Sequence, residues 1–317
     1  MGDRAWRVSP ESADDFLALL QAEARTFQER LCTDNGDWIV RGFIDVFRSV
    51  YTISGDTKVV SKLIELMLLP CFKDFAARNE YVFELARQQN HYPDMTFRSR
   101  DDVLFAVDLK STYRTTDDRC NTMTLGAFSG YFRNRDTIKT TTYPYGAYSG
   151  HFVLGVVYDR AQIRADELTV HSVRELRNVP TDVSEALLDN IYTSETLKDI
   201  PAVVKNLQFF AQPKYRIAVD RPGSGNTKNI GSVARLDALL QGAGPFAALG
   251  ENVFDDYWQR YMTRTDARSA GLTKPPYANL REYVTYRRLD GIAAEAIENA
   301  VKAADEAAEA IENEDEQ

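Results

Sequence analysis

Cysteine, histidine and long apolar runs are all scarce in this chain of 317 residues, and each shortage removes a class of protein. The three cysteines, Cys32, Cys71 and Cys120, are far apart and odd in number. They exclude a disulfide framework and fit reduced thiols in a cytoplasm, where their expected role is core filler. His91, His151 and His171 have no ligand spacing, which argues against a zinc site. No apolar stretch approaches the ~20 residues needed to span a bilayer, and no basic head with an apolar body marks an amino-terminal signal. A soluble, cytoplasmic protein with no membrane contact is therefore expected. The glycine-bearing segment Gly223-Ser224-Gly225-Asn226-Thr227 lacks the Gly-Lys-Ser/Thr ending of a P-loop and the third glycine of a dinucleotide fingerprint, so nucleotide binding is disfavoured.

Positive charge is also in deficit, with 38 Lys and Arg against 47 Asp and Glu and a net charge of -9. The deficit is local. From Leu289 to Gln317 ten acidic residues face the single Lys302, so that stretch carries the whole excess and residues 1–288 sum to zero. A neutral body can still present a positive cleft, because concave sites focus the field. Arg260, Arg264, Arg268, Arg281, Arg287 and Arg288 supply basic groups late in the body, as such a cleft or as a solvated helical face.

Local patterns predict the elements. Ser12-Ala13-Asp14-Asp15 has capping-box character and Phe16, Leu20, Phe27 and Leu31 share a stripe, predicting an amphipathic helix over 12–32. Segments 38–43 and 46–53 read as strands. A helix over 57–69 has Asp56 as its cap, with Lys58, Ser61, Lys62 and Glu65 on one polar face. Ile297, Val301, Ala304, Ala308 and Ile311 alternate four and three apart, predicting a tail helix with a weak coiled-coil or docking stripe. No internal repeat is evident.

Chemistry concentrates between Gln88 and Lys110. Val103-Leu104-Phe105-Ala106-Val107 is a compact apolar run that passes directly into Asp108-Leu109-Lys110, which predicts a largely buried strand. Side chains two apart on a strand share a face, so Asp108 and Lys110 stand side by side and Leu109 points to the core. Asp94 precedes a second short strand, Met95-Thr96-Phe97, and Arg98 to Asp102 suits a hairpin turn between the two. Both aspartates then converge. Two carboxylates so close repel each other, and a hard divalent cation such as Mg2+ relieves that cost most readily. Beside a phosphodiester this constellation is that of a metal-dependent nuclease, with Lys110 holding the attacking water or offsetting charge on phosphorus. The same tripeptide alone also occurs as a surface ion pair on a solvated hairpin.

The glutamine-rich lead-in Gln88-Gln89-Asn90-His91-Tyr92-Pro93-Asp94, the loop from Gly223 to Ser232 and several shorter motifs together resemble the EcoRV family of restriction endonucleases. Those motifs are Gly55-Asp56-Thr57-Lys58, Ile64-Glu65-Leu66, Thr124-Leu125-Gly126, Tyr143-Pro144, Gly155-Val156-Val157-Tyr158 and Asp256-Tyr257-Trp258, over roughly 54–288. The resemblance implies an α/β fold with a restriction-endonuclease-like core, a mixed central β-sheet flanked by helices. It implies catalytic Asp94, Asp108 and Lys110, with Glu65 as an accessory carboxylate, and a Mg2+ site on Asp94, Asp108 and Glu65 in which Mn2+ substitutes. Gly223, Ser224, Gly225, Asn226, Thr227 and Asn229 would read the outer base pairs of GATATC, since asparagine pairs with adenine and a threonine methyl meets a thymine methyl. Gln88, Gln89 and Asn90 would approach the minor groove, Lys58, Ser61 and Arg268 would face DNA, and Ser111 and Thr112 would touch phosphates near the scissile bond. Lys228 departs from the pattern beside the reading residues. The central step would be read through its bending cost.

A palindrome implies a two-fold protein, hence a homodimer on double-stranded DNA, with blunt cleavage to 5'-phosphate ends and a cognate methyltransferase in the same system. Residues 1–53 are expected to serve packing and dimerisation, 54–288 catalysis and recognition, and 289–317 an acidic tail packed on its own dimer or repelling nonspecific DNA. Two rivals stand beside this reading: a repair or junction nuclease, which would need no base-reading loop, and a non-catalytic DNA-binding regulator, which would not need Asp94, Asp108 and Lys110 together.

Overall fold

The computed structural model describes residues 13–47, 49–161, 170–172, 200, 202–223, 228–289 and 292–315. The chain opens with α1 (Ala13–Ala24) and α2 (Phe27–Leu31), where the sequence predicts one continuous helix. The expected stripe is intact, since Phe16, Leu20, Phe27 and Leu31 are all buried. Thr26 breaks the helix: its hydroxyl donates to the Glu23 carbonyl at 2.8 Å, offering the backbone a local alternative to the next turn. The residues ahead of Ala13, including the Ser12 cap, lie outside the described residues. Strands β1 (Gly42–Ile44) and β2 (Ser49–Thr52) follow and pair antiparallel, a shorter version of the two strands expected there.

Helix α3 (Thr57–Arg78) starts where predicted, with the Asp56 carboxylate accepting from the Lys58 and Val59 N–H groups at 2.9 and 3.2 Å. Such a cap contributes about 1 kcal/mol. The helix does not stop at Leu69. It continues through Pro70, which forfeits one backbone hydrogen bond, because the next two turns bury Cys71, Phe72, Phe75 and Ala76. Tertiary burial there outweighs the cost of an internal proline.

The central sheet runs in the order β10–β8–β5–β4–β3, with β3 (Val82–Leu85), β4 (Met95–Arg98), β5 (Leu104–Thr116), β8 (Tyr148–Arg160) and β10 (Val204–Pro213). Strands β5 and β8 are parallel and every other neighbour on this path is antiparallel, giving the mixed sheet that the resemblance implies. Between β5 and β8 the chain makes β6 (Arg119–Cys120) and β7 (Thr124–Ala127), and β9 (Val170–Ser172) extends the β1–β2 pair. After β10 come α4 (Lys214–Ile217), β11 (Ala218–Pro222), β12 (Asn229–Ser232), α5 (Leu236–Gln241), α6 (Glu251–Arg260), α7 (Arg264–Ser269), α8 (Leu280–Arg287) and α9 (Ala294–Asp315).

Alternation along β5 gives each face of the sheet its own core. Phe105 and Val107 point to the side packed by α1, α2 and α3, while Leu104 and Ala106 point to the side packed by β7, β11, β12, α4, α5, α6, α8 and α9. Phe16 of α1 anchors the first core, stacked on Phe105 at 4.3 Å and in ring contact with Phe75, Tyr81, Phe97 and Phe152. Tyr257 and Trp258 of the Asp256-Tyr257-Trp258 motif are fully buried in the second. Cys71 and Cys120 are buried, one in each core, as filler would be.

The tail helix α9 lays Val301, Ala304 and Ala308 against its own chain, packing on α8 and β11. Its acids pair with body arginines, Glu306 with Arg235 at 3.2 Å and Asp305 with Arg281 at 2.6 Å. Arg260 and Arg287 both pair with Asp256, so three of the six late arginines are engaged by carboxylates rather than by a free basic face. No helix among the described residues is long and apolar enough to cross a membrane.

Candidate active site

Strand β4 begins at Met95, opposite Val107 of β5. Beyond that register β5 leaves β4 and meets β6 only from Arg114, while its other edge stays paired to β8 from Asp108↔Val153 to Tyr113↔Tyr158. The sheet therefore presents a stretch of unpaired strand edge whose amides need partners. Asp94 supplies one: its Oδ2 accepts from the Leu109 N–H at 2.9 Å. In return the Asp94 N–H donates to Asp108 Oδ1 at 3.3 Å. Each carboxylate is thus oriented by a backbone amide of the opposite strand, and the local hairpin alone fixes their separation.

Lys110 completes the group. Its Nζ lies 3.3 Å from Asp108 Oδ2 and 3.8 Å from Asp94 Oδ2, which brings the three residues named from the sequence to one point. Leu109 turns to the other face and packs on the α1–α3 core, as the alternation predicts. The electrostatics differ sharply between the two acids. Burial pushes the Asp94 carboxyl up to about 6, and the Asp108 charge adds to the shift against the pull of Lys110. Burial would also raise Asp108, but Lys110 and then Lys214 overcome it and hold that carboxyl below its ordinary range. Burial would lower the Lys110 ammonium, yet the two aspartates keep it raised and charged. Asp94 faces a cleft, and the buried Asp108 stands behind it.

That cleft has a volume of about 830 Å3 and is lined by Thr57, Lys58, Ser61, Lys62 and Glu65 of α3, by Arg87, Gln88 and Gln89, and by Asp94, Leu109, Lys110 and Ser111. It gathers Lys58, Ser61, Gln88, Gln89 and Ser111 along the walls around the carboxylates. Asn90 is exposed on the same β3–β4 connection. Glu65 lines the opposite wall, where it pairs with Lys62 at 2.7 Å. Among the described residues no group of three or more His, Cys, Asp or Glu side chains is gathered to hold a metal ion, so Asp94 and Asp108 come together without Glu65. Two hard carboxylate oxygens at a solvent-open cleft fit Mg2+, which takes one or two protein carboxylates and completes its octahedron with phosphate oxygen and water.

The other residues named from the sequence are placed differently. Thr112 is buried and its hydroxyl donates to the Asn121 carbonyl at 2.5 Å. Arg268 is exposed on α7, with no ion pair among the described residues. Ser224, Gly225, Asn226 and Thr227 lie outside the described residues. The base of their loop is defined: the Gly223 N–H donates to the Asn229 carbonyl at 2.9 Å. A Cβ on Gly223 would meet the Gly231 Cα at 2.9 Å, so close approach of two strands requires glycine there. Lys228, the departure from the pattern, pairs with Asp266 at 2.7 Å.

Sequence reading missed the layer beneath Asp108. Lys214 is buried at 2 % exposure, donates to Tyr92 Oη at 3.1 Å and has its Nζ 4.2 Å from the centre of that ring. Tyr92 Oη is also 2.7 Å from His151 Nδ1. An ammonium only donates, so the Tyr92 hydroxyl accepts from Lys214 and is at the same time hydrogen-bonded to His151 Nδ1. Burial holds His151 well below its usual range and draws Lys214 down to about 8. Tyr145 stacks on His151 at 3.7 Å and closes the layer. No local pattern marks Lys214, whose contacts Tyr92 and Tyr145 come from segments far from it in sequence.

A family model described as restriction endonuclease EcoRV matches residues 34–189 and 184–288, reaching further toward the amino terminus than the stretch recognisable by eye. The chain is also 32% identical over 256 residues to the type II restriction enzyme EcoRV of Escherichia coli, covering 80% of this chain and 92% of that one. With the family model and this relative each matching most of the chain, and with a mixed sheet flanked by helices, the protein belongs to the EcoRV family of type II restriction endonucleases.

Proposed function

We propose that this restriction endonuclease hydrolyses both strands of double-stranded DNA at the palindrome GATATC, cutting bluntly to leave 5'-phosphate and 3'-hydroxyl ends, with Mg2+ as cofactor and Mn2+ as a working substitute. The observation that carries the chemistry is the convergence of Asp94 and Asp108 on Lys110, with Asp94 and Lys110 lining one cleft and Asp108 buried behind them. Asp94 and Asp108 would hold the cation. When bound, it would polarise the phosphoryl oxygen, lower the pKa of bound water and offset charge on the leaving oxygen. Lys110, charged and held by both acids, orients the attacking water or balances charge gathering on phosphorus. Lys58, Ser61 and Ser111 offer donors to the backbone, and Gln88 and Gln89 face the groove. Glu65 acts on the far wall as an accessory proton or charge group. The loop 223–229 reads the outer base pairs, and Arg268 adds a phosphate contact.

A second copy of the chain completes the palindrome, each subunit cutting one strand. The β1–β2 hairpin supports this reading, because Val46 and Phe47 are 90 % and 85 % exposed beside half-exposed Phe43, Ile44 and Tyr51. Apolar groups at such exposure mark an association surface. A methyltransferase of the same specificity would protect the host DNA in the cytoplasm where both act.

The decisive test is digestion of a plasmid carrying one GATATC site with 10 mM-scale Mg2+, roughly a saturating level. One blunt double-strand cut at that site is expected. Cutting elsewhere would overturn the specificity, and intact plasmid with folded enzyme would overturn the nuclease reading. The raised Asp94 carboxyl sets a pH dependence with a definite sign. Below about 6 that group binds a proton that a cation must displace, so metal affinity of DNA-free enzyme falls roughly tenfold per pH unit there and levels off above. Calorimetry in buffers of different ionisation enthalpy should show about one proton released per ion at pH 5 and about none at pH 8. Equal release at both would remove Asp94 from the metal site.

A further inference from the structure

We propose that Lys228 is a positioning residue that sets specificity: its ion pair with Asp266 bolts the outgoing end of the base-reading loop to α7, so that the loop and the helix bearing Arg268 meet DNA as one rigid piece. The inference deepens the proposed function and rests on the reading that the loop 223–229 contacts the outer base pairs.

Lys228 is held by its backbone and by its side chain. Its carbonyl accepts from the Phe128 N–H at 2.9 Å, just past β7, and the Phe128 ring stacks on Trp258 at 5.1 Å and meets Tyr261 at 5.3 Å. Its Nζ donates to Asp266 Oδ1 at 2.7 Å. Asp266 is an anchor already set. It is the third residue of α7, where its Oδ2 accepts from the Thr263 N–H at 3.3 Å and its own N–H donates to Thr263 Oγ1 at 3.1 Å, a capping box. The Arg133 guanidinium approaches the same Oδ2 to 3.9 Å and donates to the Tyr261 carbonyl. Lys228 comes first among the groups that hold the Asp266 carboxyl below its ordinary range.

An exposed ion pair by itself contributes little, because holding two mobile side chains in one geometry costs entropy. Here the helix cap has fixed one partner in advance, so only the lysine has to be ordered. Helix α7 also has few other ties. Ala267 is its one buried residue, it adds no side chain to either core, and a groove of about 570 Å3 lined by Arg133, Tyr261, Asp266, Ser269 and Tyr277 runs beside it. Breaking the pair therefore uncouples α7 from the loop without opening a core. The loop keeps its backbone contact with Phe128 but loses its second support, and a reading loop free to tilt discriminates less well against a wrong outer base pair. The pair also occupies the Lys228 charge, which removes it from the groups that neutralise phosphates.

The test compares Lys228→Met, Asp266→Asn and the double variant of the full-length protein. Asparagine keeps an oxygen for the Thr263 N–H, so the cap survives. Two quantities are read: kcat/KM with Mg2+ on duplexes carrying GATATC or the same site with one outer base pair replaced, and the salt dependence of GATATC binding without metal. Each single variant is expected to lower the ratio of cognate to outer-pair cutting about tenfold, and the double variant no further, because both changes break one contact. Lys228→Arg should keep the parent ratio, and Lys228→Met the parent salt slope. A slope lower by about one in Lys228→Met puts the lysine on a phosphate and overturns the latch. Losses that add in the double variant, or a ratio that does not move while all sites are cut more slowly, overturn it as well. A parent that cuts another palindrome overturns GATATC alone, and the ratio is then taken on the outer pair of that site. A parent indifferent to the outer pairs overturns the reading of the loop, a failure visible before any variant is made.

Discussion

Asparagine in place of Asp94 or Asp108 lowers strand cleavage at saturating DNA by roughly a thousandfold or more, at least the cost of losing one well-aligned charge-stabilising group. The amide keeps the shape of the acid and, for Asp94, the acceptor for the Leu109 N–H, so the hairpin survives. DNA binding measured without metal should not weaken, because a negative charge facing phosphate has been removed. The loss then lies in the rate constant and not in the affinity. Asp94→Asn carries a second signature. The Asp94 carboxyl titrates near 6 in the folded chain, above its ordinary value of 3.8, because burial and Asp108 oppose its ionisation. A raised acid favours folding at low pH, and that contribution is lost as pH rises through the folded value. The asparagine variant should therefore unfold at a higher temperature than the parent at pH 8 and show no such gain at pH 4. Undiminished cutting by either variant would end the assignment of these acids.

Truncation of Phe16 to alanine is expected to cost about 3–5 kcal/mol, a large part of the 5–15 kcal/mol by which a domain of this kind is stable. Phe16 is fully buried and touches Phe75 of α3, Phe97 of β4, Phe105 of β5 and Phe152 of β8. With Tyr81 these are five rigid rings, and they cannot close the cavity that removal of Phe16 leaves. Urea unfolding of the variant against the parent reads the difference, and a loss below about 1 kcal/mol would show that α1 is peripheral to the core rather than its anchor. The same substitution lies under the strands bearing Asp94 and Asp108, so cutting at elevated temperature should fail earlier than in the parent.

What could be read from the chain itself follows from how local each determinant is. The run into Asp108-Leu109-Lys110 and the strand after Asp94 are joined by a short turn, and period-two alternation sufficed to put both acids on one spot. The Asp56 cap and the stripe from Phe16 to Leu31 are equally local. Pro70 misled because helix propensity argues for a stop there, while the burial of Phe72 and Phe75 that overrides it depends on a sheet formed later in the chain. Thr26 misled for the opposite reason: its stripe is continuous, but one hydroxyl diverts the backbone. The tail helix showed its apolar stripe in sequence but not its target, which is the chain's own β11 and α8. Lys214 was invisible because its meaning comes entirely from Tyr92 and His151, which the fold brings to it. Glu65 shows the limit of carrying a role across by pattern, since the geometry places it on the cleft but in the company of Lys62.

Both acids and Lys110 are carried by a single β4–β5 ribbon, and their mutual distances are set by two strands and one turn. Substitutions in the outer loops can drift freely without the cutting apparatus having to be rebuilt. If the loop at 223–229 reads the target as proposed, blade and address label are separable inheritances, and directed evolution can be aimed at one without the other.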